Sequence, residues 1–275
     1  MNYITVPRPR QTPLTTVDGR GYLPRMRLHA RLPSVCLLVA CLARVATAEP
    51  QSILDRERLL AETKKPAALA LQPNVKPVGD PKTVRMRIYA SADYRLQTVQ
   101  WEKHLRRLVS ELNEAMADWP HARFEIVDIR RWEQPSALLP LPQLLQRLEE
   151  VDHGTDVDWV VGMSAAPIAA STHLHDLGFT KTGGHHIVLR NLHDATEGQL
   201  VLSELGELPR NELEALIAMR KRHKEAVAFL HQWGHSLGLV DVKTSDSIMN
   251  PLYQLTQTGF SAAEARTIEG HSTNK

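Results

Sequence analysis

The run Asp158-Trp159-Val160-Val161-Gly162-Met163 opens on one charge and continues without a polar side chain. A strand that is apolar at odd and even positions alike buries both of its faces, which places it in the middle of a helix-covered sheet. The neighbouring segments suit that layout. Val84 to Tyr89 alternates apolar and polar as a half-buried strand does, and Phe124 to Ile129 reads as a second strand. Between them Trp101, Leu105, Leu108, Leu112, Met116 and Trp119 recur at helical spacing until Pro120 stops the helix. Leu141 to Val151 predicts a shorter helix, Leu177 to Thr180 and His186 to Leu189 predict strands, and the remainder is mainly helical. A capping box at Asn211-Glu212-Leu213-Glu214 is expected to open the helical part. This order implies one α/β domain over residues 83–275, without an internal repeat.

The 275 residues suffice for a buried core, and 5% aromatic residues argue against a base-stacking surface. The formal charge of +2 comes from the start of the chain. Residues 1–48 hold seven arginines and one acid, Asp18, so the remainder carries 26 basic against 30 acidic residues, a net of −4. A mildly acidic body offers no field for phosphates, and nucleic acid is excluded as the expected partner.

Leu32 to Ala43 is uncharged but at 12 residues too short to span a bilayer. It suits the apolar region of a signal peptide, with Arg27 and Arg31 as the positive flank and Ala46-Thr47-Ala48 as the cleavage site, and Met26 as the candidate true start. A buried helix of an unexported protein is the alternative. Both cysteines, Cys36 and Cys41, fall inside this segment, so cleavage after Ala48 leaves no thiol. Leu38-Val39-Ala40-Cys41 also resembles a lipobox, which makes a lipid anchor at Cys41 the alternative to a soluble secreted or periplasmic form. Residues 49–82, with five prolines, read as a linker or short pro-segment.

The chemistry concentrates in His231-Gln232-Trp233-Gly234-His235-Ser236-Leu237-Gly238-Leu239-Val240-Asp241. Two histidines four apart on a helix face the same side and can reach one metal ion, although chance alone yields about 0.6 such pairs in a body of this histidine content. Gly238 can take the left-handed conformation that ends a helix and returns the chain, so that Asp241 offers an oxygen from a loop. Ser247-Ile248-Met249-Asn250-Pro251 follows closely. Ordinary histidines on an amphipathic helix and an ordinary loop acid are the competing reading.

These residues resemble the metzincin clan of zinc metallopeptidases, whose signature is HExxHxxGxx(H/D) followed by a tight methionine-containing turn. The resemblance implies a metzincin-like zincin fold, a mixed twisted sheet packed on helices with an active-site helix and a Met-turn. It implies Zn2+ held by His231, His235 and Asp241, Gly238 as the turn residue and Met249 as the floor. It also implies an extended peptide or protein substrate, bound by strand addition and hydrolysed by a zinc-activated water. The chain departs at one position: the family's general-base Glu is Gln232 here. An amide oxygen can orient a water but cannot take its proton, which removes assistance worth typically ~10²–10⁴-fold. Hydrolysis is therefore expected to be weakened or lost, and a pseudoenzyme that uses zinc and groove for binding is the alternative. Glu225 lies on the wrong face of the helix to substitute. Tyr253 is a candidate contact for a transition-state oxygen, or a packed aromatic.

Two other clusters are weaker. His173-Leu174-His175-Asp176 with His185-His186 is compatible with a separate structural metal, and Arg220-Lys221-Arg222-His223-Lys224 reads as a solvated helix junction.

Overall fold

A computed structural model describes residues 82–116, 122–134 and 139–273. The signal peptide, the lipobox at Cys41, the cleavage site and nearly all of the 49–82 linker lie outside the described residues. No helix among the described residues is long and apolar enough to cross a membrane.

Strand β1 (Lys82–Ser91) leads into the short α1 (Ala92–Gln97) and then α2 (Trp101–Ala115). Ser91 caps α1, its hydroxyl accepting from the Tyr94 N–H. Strand β2 (Ala122–Trp132), helix α3 (Leu141–Val151), strands β3 (Trp159–Ser164), β4 (Gly178–Thr180) and β5 (His186–Arg190), and helices α4 (Asp194–Leu205), α5 (Arg210–Ser236) and α6 (Ala262–Thr273) complete the order. The sheet runs β2-β1-β3-β5-β4. The pairs β1·β2, β1·β3 and β3·β5 are parallel, while β4 runs antiparallel along β5 and forms an edge.

All six residues of β3 are buried, as its unbroken apolar run predicts. The pleat sends them to two different cores. Val161 and Met163 join Met86, Ile88, Leu105, Leu112, Phe229 and Trp233 on the side of α2 and α5. Val160 joins Tyr89, Trp132, Val188 and the α3 leucines 141, 144, 145 and 148 on the other side. The sheet is thus mixed, with helices on both faces.

Helix α5 departs from expectation in two ways. It starts at Arg210 behind Pro209, which makes no side-chain cap bond, so the box at Asn211 is not used. Pro209 instead presets the chain direction, and Arg210 pairs with Glu214 one turn on at 2.8 Å. The basic run 220–224 is solvated only in part, at the exposed Arg222 and the half-buried Lys221. Arg220, His223 and Lys224 are buried inside one continuous 27-residue helix, about 40 Å long. The charges are tolerated because each meets a carboxylate or a carbonyl. Lys224 Nζ donates to Glu197 and to the Ser171 carbonyl, both at 2.6 Å, and Arg220 makes a two-pronged pair with Glu204.

Candidate metal centre

The C-terminal half of α5, from His223 to Gly234, is buried on every side. His231 and His235 sit one turn apart near its end, His231 fully buried and His235 partly open. The helix stops where sequence spacing places the stop. Gly238 has φ +88, and the Leu239 N–H returns to the Gly234 carbonyl at 3.0 Å. That reversal carries the Leu239 carbonyl back under His235 and, two residues later, the Asp241 carboxylate to the ring edges. Asp241 Oδ1 lies 3.2 Å from His235 Nε2 and 3.5 Å from His231 Nε2.

The turn that follows closes the site from below. Met249 is fully buried under Gly234, where an added Cβ would stand 2.5 Å from the Met249 sulfur. The Met249 N–H donates to the Ser247 hydroxyl and the Asn250 N–H to the Ser247 carbonyl, both at 3.0 Å. This turn presents the Ile248 carbonyl to His231 Nδ1 at 2.8 Å, while Leu239 presents its carbonyl to His235 Nδ1 at 2.9 Å.

Those two carbonyls decide the protonation of the rings. A carbonyl accepts only, so Nδ1 carries the hydrogen in both histidines and Nε2 is left with a lone pair. The two Nε2 atoms nevertheless face each other at 3.1 Å, with a carboxylate oxygen beside them. Three electron-rich atoms converging in this way are unfavourable unless positive charge, a proton or a metal ion, sits among them. Burial also pushes His231 down to about 4, which keeps it in the neutral form that a metal needs. The edges of a zinc tetrahedron with bonds of ~2.0 Å measure about 3.3 Å, and the separations of 3.1, 3.2 and 3.5 Å fall around that value. The donor set therefore fits a zinc ion.

His175 was not among the ligands read from sequence, yet it joins the group. The ligating atoms of His175, His231, His235 and Asp241 all lie within 4.8 Å of one another. His175 Nε2 is 2.8 Å from Asp241 Oδ2, and its ring stacks on His235 with centroids 5.5 Å apart. It stands just ahead of edge strand β4, 56 positions before His231, and no motif spacing links the two. The separate cluster expected around His173, His175 and His185-His186 does not assemble among the described residues. His186 instead turns its Nε2 to the Asp152 carbonyl at 2.6 Å.

Gln232 lies between the two histidines in sequence and packs against the edge strand. It is buried, its amide nitrogen has no hydrogen-bond partner among the described residues, and its Cγ presses on Gly178 of β4, where a Cβ would come within 2.6 Å. Tyr253 is buried away from the group. Its hydroxyl lies 2.9 Å from His223 Nδ1 and donates to the Arg220 carbonyl, which suits the packing role rather than contact with a reacting oxygen. Glu225 faces His104 at 3.3 Å, on the side of α5 that its helical phase indicated. Beside His175 a groove of about 660 Å³ runs past Pro140, Pro167, Ile168, Phe179 and Arg190.

No protein-family model matches this chain, and no curated protein resembles it in sequence. Among solved structures it is similar to archaemetzincin from Methanopyrus kandleri, at 15% identity and a TM-score of 0.45 over 73% of this chain and all of that one. It is also similar to metalloproteinase-II from Bacteroides fragilis, at 13% identity and a TM-score of 0.43 over 74% of this chain. A chain in a chaperone–substrate complex overlaps at 11% identity and a TM-score of 0.42 over 71% of this chain. The chain spans 60% of the Bacteroides protein and 38% of the chain in the chaperone complex. These overlaps are loose, and the chemistry is carried by the side chains themselves.

Proposed function

We propose that this chain is an exported zinc-binding protein of the metzincin type, in which peptide hydrolysis is weakened or lost because Gln232 replaces the general base. The observation that carries the metal assignment is the pair of Nε2 lone pairs at 3.1 Å beside the Asp241 carboxylate, with both Nδ1 hydrogens committed to carbonyls. In this reading the 247–250 turn is the Met-turn and Met249 the floor. Zinc, when bound, polarises a carbonyl oxygen and makes a water more acidic. What the protein itself would add is a proton acceptor, and the amide of Gln232 takes up no proton. An extended peptide would pair with the open side of β4 and lay side chains into the adjoining groove. Export rests on the signal-like segment before Glu49, either as a soluble form or as a lipoprotein through Cys41.

The test compares the zinc-loaded parent with Gln232→Glu on a fluorogenic peptide library, with and without a chelator. The glutamate variant is expected to cleave at least ~100-fold faster than the parent, and only while zinc is present. Equal rates in zinc-loaded proteins would show that position 232 is not the missing base.

A further inference from the structure

We infer that His175 is a fourth ligand that closes the metal site, filling the position that a hydrolytic zinc centre leaves open. This rests on the metal assignment above. A catalytic zinc keeps three protein ligands and one position for water or substrate, whereas four protein ligands make a closed centre. Here three imidazoles and a carboxylate converge. The two oxygens of Asp241 divide the group, Oδ1 toward His231 and His235 and Oδ2 toward His175. The His175 ring is nearly equidistant from the other two, with centroids 5.3 Å from His231 and 5.5 Å from His235.

The loop that delivers His175 is tied down independently of the metal. The Leu174 N–H donates to the Pro251 carbonyl at 2.8 Å and the Tyr253 N–H to the Thr172 carbonyl at 2.7 Å, which joins the loop to the chain just beyond the Met249 turn. The fully buried Lys224 Nζ holds the Ser171 carbonyl from below, and the Ser171 hydroxyl donates to Asp176 at 2.5 Å. His175 itself differs from its companions. Its side chain is 48% exposed and its Nδ1 has no protein acceptor among the described residues, whereas the other two rings are each fixed by a carbonyl. It is thus the least firmly held of the three rings, and it lines the groove. Closure lowers cleavage by parent and Gln232→Glu alike, so the ratio predicted above stands, while His175→Ala raises both.

Cobalt(II) substituted into the full chain reads the coordination directly. The parent is expected to show an intense four-coordinate visible spectrum that millimolar azide leaves unchanged. His175→Ala is expected still to bind one equivalent, at least about tenfold more weakly, with a spectrum that azide shifts. X-ray absorption of the zinc-loaded parent, which needs no variant, is expected to count three imidazoles. Two imidazoles, or a parent spectrum that azide shifts as readily as that of the variant, would make His175 a mere hydrogen-bond partner of Asp241 and overturn the proposal. A parent that binds no metal would remove the underlying assignment and this one with it. Metal binding with only two imidazoles would leave the first standing and sink the second.

Discussion

Gly234 shows how narrowly single residues are chosen around the site. It lies between the two histidines, and a Cβ there would stand 2.5 Å from the Met249 sulfur, 3.2 Å from Leu239 and 3.3 Å from Phe260. Gly234→Ala gains helix propensity worth up to ~1 kcal/mol but overpacks a filled core, which typically costs about 1–3 kcal/mol. The expected net result in urea unfolding is destabilisation. Gly270→Ala, in α6 where a Cβ meets open space, should stabilise by roughly 0.5–1 kcal/mol. If both variants stabilise equally, the methionine is not wedged under the helix as described. The convergence of His231, His235 and Asp241 was legible because helical spacing, a turn glycine and a short return lie within eleven residues. His175 was not. Its partnership depends on how an irregular loop docks against residues 251–253, and neither periodicity nor a spacing rule encodes that docking.

Among the elements, α5 carries the largest difference between pattern and structure. A basic stretch in a helix is normally solvated, yet here the hydrophobic sheet face on one side and α4 on the other enclose it, and Glu197 and Glu204 of α4 supply the compensating charges. Nothing within the run itself announces partners that lie 16 to 27 positions earlier. By contrast, β3 and α3 were legible because a doubly apolar strand and a helix of four inward leucines satisfy burial by themselves. The enclosure has a pH consequence. Burial pushes His223 down to about 4 from an ordinary value near 6.5. Between those two values the unfolded chain binds a proton that the folded chain refuses, so stability rises with pH across this window and falls on acidification. The metal-free protein should lose up to about 3 kcal/mol from this group between pH 7 and pH 4. His223→Gln should reduce the slope by that share and leave the contribution of His231, which burial also holds at about 4. An unchanged slope in that variant would place the titrating group elsewhere.

For the molecule as a whole, a mixed sheet with helices on both faces brings the edge strand, the end of a long buried helix and a returning loop to one place. The element order in the sequence was sufficient to foresee the α/β architecture, because alternating periods of two and 3.6 leave few ways to cover a buried sheet. It did not foresee that His175 joins the histidine cluster, since that depends on a contact between segments 66 positions apart. Native mass spectrometry of the purified full chain measures the decisive quantity, the number of zinc ions per molecule. One ion in the parent, lost in His231→Ala and in Asp241→Ala, is the predicted result. A folded parent that stays empty at zinc concentrations well above the protein concentration would contradict it.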